Sequence, residues 1–323
     1  MLYWDEERPD KREGRFTTMG NKPKVYQRAE EPPPIRITKR DMRILKMVEA
    51  YRFVSREQIE RLIFTEAEKG EKTKKTRCPI RLRKMFDNRL VGRVRWPFHA
   101  VTLPMVYYLG REGANLLALK LGMERNKITT LTKSEKRPVI SRSLLFLAHT
   151  LAINDFRIDV NLACEKGEAE IVEWLNEYEL GREYVNIDHN GRKRRKAVQP
   201  DGYFAITHNG REAHFFLEMD METTPSKRWA PKVLGLYEYR YRGKYTERFG
   251  TKSLRVLSVT PSESRKELLM GWTEEVIPER WQPLFWFTTQ DEAKVRTVLT
   301  EPIWEVVGDD RGKQSIFGVD GQG

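Results

Sequence analysis

Between Ile37 and Phe53 the apolar residues Ile44, Leu45, Val48 and Tyr51 recur at helical spacing, and Thr38 stands at an N-cap position ahead of Asp41. A first helix is predicted there. Ser55 followed by Gln58 has the spacing of a capping box, and Ile59, Leu62 and Ile63 then share one face, which predicts a second helix ending near Phe64. A third is expected from a cap at Thr76, with Pro79 in its first turn and Leu82, Met85 and Phe86 as its apolar stripe. Leu90 to Trp96 and Val106 to Leu109 read as two short strands around a Pro97 to Pro104 loop, and Leu116 to Leu121 as a closing helix. Three helices and a two-stranded wing form a winged helix-turn-helix order.

Farther along, Val139 to Cys164 carries a long helical pattern, followed by a β-type run at Ile171 to Leu175. Strands are predicted at Tyr203 to Thr207, Phe215 to Glu222, Leu254 to Val259 and Leu284 to Phe287, with helices near 226–242, 262–272 and 290–299. The fold class is therefore α/β (α+β) in two domains. The expected organisation is a basic, Pro-rich arm over 1–35, the winged helix-turn-helix over 36–123, a polar linker over 124–137, a sheet domain over 138–310 and a tail over 311–323.

Charge sharpens this picture. The chain of 323 residues carries Lys+Arg 59 against Asp+Glu 47, a net charge of +12. Ten of the basic residues fall between Lys72 and Arg95, against the single acid Asp87. Arg77, Arg81 and Lys84 stand at i, i+4 and i+7, so they share a helix face whose repulsion a polyanion would relieve. With Lys74, Lys75, Arg93 and Arg95, they form the expected contact surface for double-stranded DNA. A solvated charged face is the plainer reading. The GRKRRK run from Gly191 to Lys196 reads either as a flexible basic loop or as a hold on a DNA backbone.

The stretch QPDGYFAITHNGREAHFFLEMDMETT carries the most chemistry. Asn209-Gly210 is a hairpin turn signal, so the strands on either side of it pair. Strand alternation puts Phe216, Glu218, Asp220 and Glu222 on one face and Phe215, Leu217, Met219 and Met221 on the other. Carboxylates stacked in this way need a divalent cation or a lysine to neutralise them, and Asp201 on the partner strand offers a further oxygen. Such a donor set suits Mg²⁺ or Mn²⁺ in phosphodiester hydrolysis. His189, His208 and His214 read as ordinary strand-end residues, while His149, Asn154 and Asp155 on the preceding helix read either as polar groups near the metal or as packing and solvated residues. No phosphate-binding P-loop, dinucleotide fingerprint or serine-hydrolase elbow occurs. Cys78 and Cys164 are too few for a thiolate zinc site or a disulfide framework. No apolar run is long enough for a membrane span, and the charged N-terminus is not a secretory signal, so a cytoplasmic, nucleoid-associated protein is expected.

Pro200-Asp201, a hairpin and then Glu218-Met219-Asp220 resemble the PD-(D/E)xK nuclease fold. The resemblance implies metal binding by Asp201 and Glu218 and a lysine that positions the attacking water. Asp220 occupies that lysine's place, and the resemblance offers two alternatives: Lys232 or Lys227 on the next helix as the replacement, or a carboxylate used in the lysine's place. The expected catalytic set is thus Asp201, Glu218, Asp220 and Lys232, with Asp201, Glu218 and Asp220 as metal ligands. Thr38, Arg40-Asp41 and Ile44-Leu45, together with PDGYF, FFLEMDMETT, Lys232 and Tyr237, resemble the bacterial replication-relaxation family of plasmids and mobile elements. That resemblance implies work on DNA in replication or relaxation. Two functions stay open: a Mg²⁺-dependent endonuclease or nickase, and a non-enzymatic DNA-binding regulator or replication accessory factor with a degenerate nuclease fold. Other replication or transfer proteins and a second copy of the chain are further partners to consider.

Overall fold

The computed structural model describes residues 26–64, 71–94, 104–128, 130, 144–166, 169–222, 224–293 and 298–317. The N-terminal unit opens with α1 (Lys39–Tyr51), whose Thr38 cap accepts from Asp41 N while the Asp41 carboxylate accepts from Thr38 N at 2.7 Å. The two-residue strand β1 (Val54–Ser55) leads into α2 (Arg56–Ile63), closed by a second capping box between Ser55 and Gln58. Then come α3 (Glu71–Asp87), β2 (Val91–Arg93), β3 (Val106–Leu109) and α4 (Arg111–Leu121). β2 and β3 pair antiparallel, and β1 adds to β3, giving a small sheet in the order β1-β3-β2. Because α3 begins at Glu71, Pro79 lies in its interior rather than in a first turn. The core of this unit gathers Ile44, Leu45, Val48, Ile59, Leu82 and Met85.

The second unit opens with α5 (Leu144–Lys166), β4 (Ala169–Asn176), the single turn α6 (Glu177–Leu180) and a hairpin of β5 (Glu183–His189) and β6 (Arg192–Val198). There follow β7 (Gly202–His208), β8 (Arg211–Met219), α7 (Ser226–Tyr241), α8 (Lys244–Phe249), β9 (Arg255–Thr260), α9 (Glu263–Glu274), β10 (Phe285–Thr289) and β11 (Glu305–Val306). The main sheet is six-stranded and mixed, in the order β11-β10-β9-β8-β7-β4. β8, β9 and β10 run parallel, whereas β7, β4 and β11 join antiparallel. The whole is a mixed α+β protein.

Both faces of the sheet are covered. Phe156, Val160 and Ala163 of α5 pack on Phe204, Phe215 and Leu217, while Trp229, Val233 and Leu236 of α7 lie with Tyr203, Phe216 and Val256 on the opposite face. The Glu218 face is therefore roofed by a helix instead of facing solvent.

Some expected boundaries move. Residues 26–35 are laid against α3, with Arg28 over the Phe86 ring at 4.1 Å and Ala29 N donating to Asp87 at 3.0 Å, so the arm ends packed. At the other end Gln314 bridges to Trp304 and Ile316 is buried, so the start of the tail belongs to the sheet unit. α5 serves two cores, since Leu147 packs with Phe53, Val94 and Val106 while Phe156 faces the sheet. Polar ties reinforce it: Asn154 Nδ2 donates to Phe53 O at 2.6 Å, and Arg61 of α2 pairs with Asp155 at 2.7 Å and with Asp159. Of the helix expected over 290–299, residues 294–297 lie outside the described residues, and 290–292 and 298–300 are turns. Among the described residues, no helix is long and apolar enough to cross a membrane.

Candidate functional site

Asn209 and Gly210 adopt φ of 49° and 72°, the left-handed pair that a two-residue hairpin loop requires, and His208 faces Arg211 across it. This register sets Gly202 opposite Leu217, so Asp201 arrives beside the end of β8. Asp201 N donates to Leu217 O at 3.0 Å, and the Asp201 carboxylate accepts from Met219 N at 2.8 Å. Alternation sends Glu218 to the α7 face, where it is buried and meets the Lys232 ammonium. Its Oε2 faces that lysine, and its Oε1 has no hydrogen-bond partner. Lys232 keeps 30% of its side chain exposed, so the pair is open to an incoming group. His149 of α5 closes the far side, its Nε2 lying 3.0 Å from Met219 O and 3.4 Å from the Asp201 carboxylate.

The charges support one another. Burial works to raise the Asp201 pKa, but Lys232, His149 and the Met219 N–H outweigh it and hold it at about 2. Burial likewise opposes the charge on Lys232, and Asp201 and Glu218 more than restore it, so its pKa is raised. Burial pushes the Glu218 carboxyl up against the pull of Lys232. His149 is raised too: burial opposes its charge, and its contact with Asp201 prevails. Glu177, lifted first by burial and then by Asp201, is a further acid on this side. A cleft of about 280 Å³ opens here, lined by His149, Glu177, Gln199 and Asp201, with Tyr51 and Phe53 of the N-terminal unit across from them.

Asp220 does not join the site. β8 stops at Met219, and the Asp220 carboxylate turns to Arg265 of α9, accepting from Nε at 2.7 Å and from a terminal nitrogen at 3.1 Å. The expected stack of carboxylates is thus neutralised twice, Glu218 by Lys232 and Asp220 by Arg265. Lys227 is exposed in the first turn of α7, leaving Lys232 as the lysine at the site. Among the described residues no three His, Cys, Asp or Glu side chains are arranged to hold a metal ion. Two carboxylates still fit Mg²⁺, which keeps several waters and takes one or two carboxylates with substrate phosphates, and the unpartnered Glu218 Oε1 is the donor it would find.

The predicted DNA-contacting cations separate in the structure. Arg81 is tied into the fold, its Nε 2.6 Å from buried Asp41, a second nitrogen also on that carboxylate and the same terminal nitrogen 2.8 Å from Arg36 O. Arg93 is buried over the rings of Phe86 (4.4 Å) and Tyr107 (5.5 Å). Neither is a surface contact for phosphate, because the fold consumes its guanidinium. Arg77 is exposed and Lys84 half-buried. The side chains of Lys74 and Lys75, and Arg95 entirely, lie outside the described residues.

The model of the replication-relaxation family matches residues 45–253, spanning both units and every residue of the Asp201–Glu218–Lys232 group. The chain belongs to the replication-relaxation family. No curated protein matches it. Among solved structures, an fdxN element excision controlling factor protein from Anabaena variabilis is similar at 12% identity and a TM-score of 0.29, covering 48% of this chain and 98% of its own. An XisH family protein from Nostoc punctiforme is similar at 13% and 0.27, with 47% and 98% covered. Restriction endonuclease FokI is similar at 10% and 0.24, with 79% and 42% covered.

Proposed function

We propose that this member of the replication-relaxation family is a DNA-processing protein of a plasmid or mobile element. The N-terminal unit, read as a winged helix-turn-helix, docks duplex DNA, and the sheet unit, read as a PD-(D/E)xK nuclease fold, nicks or cuts it. The observation that carries this reading is the Lys232 ammonium, brought from α7 onto buried Glu218 beside Asp201. Asp201 and Glu218 would hold a divalent cation, whose chemistry is Lewis acidity at phosphorus and a more acidic bound water. Lys232 supplies a fixed positive charge against the negative charge that develops on the phosphate oxygens. His149 braces the Asp201 carboxylate and the Met219 carbonyl.

A second reading, a DNA-binding regulator on a degenerate nuclease fold, draws on the locking of Asp220 to Arg265. Supercoiled plasmid decides between them. It is expected to become open-circular or linear with Mg²⁺ or Mn²⁺, to stay intact in EDTA, and to lose at least ~100-fold in rate with Lys232→Met. Plasmid that is bound but left intact with either metal overturns the nuclease and leaves the regulator.

A further inference from the structure

Strand β6 places Arg192, Lys193, Arg194, Arg195 and Lys196 in one uninterrupted run. Its hairpin with β5 turns at Asn190 and Gly191, at φ of 56° and 69°, and is anchored through Val185 and Ile187, which are buried with α7. Cross-strand register sets Lys196 opposite Val185 and Arg194 opposite Ile187, so these two cations share the face turned to α7. Lys193 and Arg195 take the other face, Arg195 lying over the Tyr184 ring at 4.0 Å. Arg192 to Arg195 are exposed, and among the described residues none of the five cations makes an ion pair. Adjacent like charges on a strand repel, and a polyanion running along it removes that repulsion.

The run also ends at the right place. Lys196 crosses α7 at Gly235, where an added Cβ would stand 3.2 Å from Lys196 Cγ. Gly235 is three residues beyond Lys232, one turn along the same helix face, so the two lysines are neighbours. Lys196 is half-buried, its charge disfavoured by burial and by Lys232 and favoured by Glu218.

We propose that β6 is a phosphodiester-binding track that leads a DNA backbone into the candidate site, with Lys196 holding the phosphate next to the one at Glu218 and Lys232. The placement of Lys196 rests on the nuclease reading, whereas backbone binding along β6 does not need cleavage. The test is anisotropy of a labelled duplex with the full-length chain in EDTA, over a salt series, so that no chemistry enters. The triple variant Arg192→Gln, Arg194→Gln, Arg195→Gln is expected to reduce the log–log salt slope by about 0.9 for each phosphate that is no longer neutralised, and Lys196→Gln by about 0.9 alone. Lysine in place of the three arginines should restore most of the slope, as a charge track requires. Parent-like slope and affinity in the folded triple variant overturn the track. A parent that binds in this way but never cleaves plasmid would sink the nuclease reading and leave the track standing.

Discussion

In α3 and the strand after it, the guanidinium groups of Arg81, Arg83 and Arg93 are taken up by the fold, the first two by Asp41 and Asp87 and the third by aromatic rings. On β6, by contrast, Arg192 to Arg195 stand exposed and without ion pairs among the described residues. In sequence both stretches look like nucleic-acid contacts. The difference lies in long-range partners: Asp41 is 40 residues from Arg81 and waits in the core of the N-terminal unit, whereas β5 sets Val185 and Ile187 opposite Lys196 and Arg194 and brings no carboxylate to them. A basic run is thus evidence of a polyanion partner only where the fold has not already supplied the anion.

The largest effect that breaks or sharpens this contrast is on stability. Arg81→Ala leaves buried Asp41 without its main partner and is expected to lower stability by about 3 kcal/mol in thermal or denaturant unfolding. Arg194→Gln on β6 should stay within about 0.5 kcal/mol of the parent. The pH profile carries the same signature. Burial works to raise the Asp41 pKa, but the hydrogen bonds from Arg81 and Thr38 prevail and lower it. Its contribution is therefore fully present above about pH 4 and is lost as pH falls through the lowered folded value. Arg81→Ala should flatten that acid limb, and an unchanged limb would mean that Arg81 is not what holds Asp41 ionised.

A smaller effect is expected at Arg93. Burial lowers its pKa, and its packing on Phe86 and Tyr107 is mostly apolar. Arg93→Met should thus leave stability within about 1 kcal/mol and the salt slope of DNA binding at the parent value. A slope reduced by about 0.9 would return Arg93 to the DNA surface.

The elements most legible in the sequence are those whose signals are local. Both capping boxes, at Thr38 and Ser55, formed as the three-residue spacings implied, and Asn209-Gly210 made the tight turn that brings Asp201 beside Glu218. Lys232 was reachable too, because a helix after β8 returns over the sheet and carries one lysine to the Glu218 face. Strand alternation predicts Asp220 beside Glu218, but the predicted strand runs to Glu222, three residues past the end of β8, and the partner of Asp220, Arg265, comes from a helix 45 residues on. The β5–β6 hairpin is hidden in the sequence for a different reason. Asn190-Gly191 carries the same turn signal, but β6 has only Val198 buried, so the period-2 apolar pattern that marks a strand is almost absent. His149 is legible only as a candidate polar neighbour of the site, since nothing near it in sequence announces the Met219 carbonyl 70 residues away.

The most direct measurement on the site itself is the melting temperature of the full-length chain against Mg²⁺ concentration, for the parent and for Glu218→Gln. If Asp201 and Glu218 bind the cation, the parent gains about 2.7 kcal/mol at a concentration 100-fold above its Kd, read as a rise in Tm, while Glu218→Gln gains little or nothing. Equal rises in both proteins, or no rise in the parent with Mg²⁺ or Mn²⁺, would contradict it.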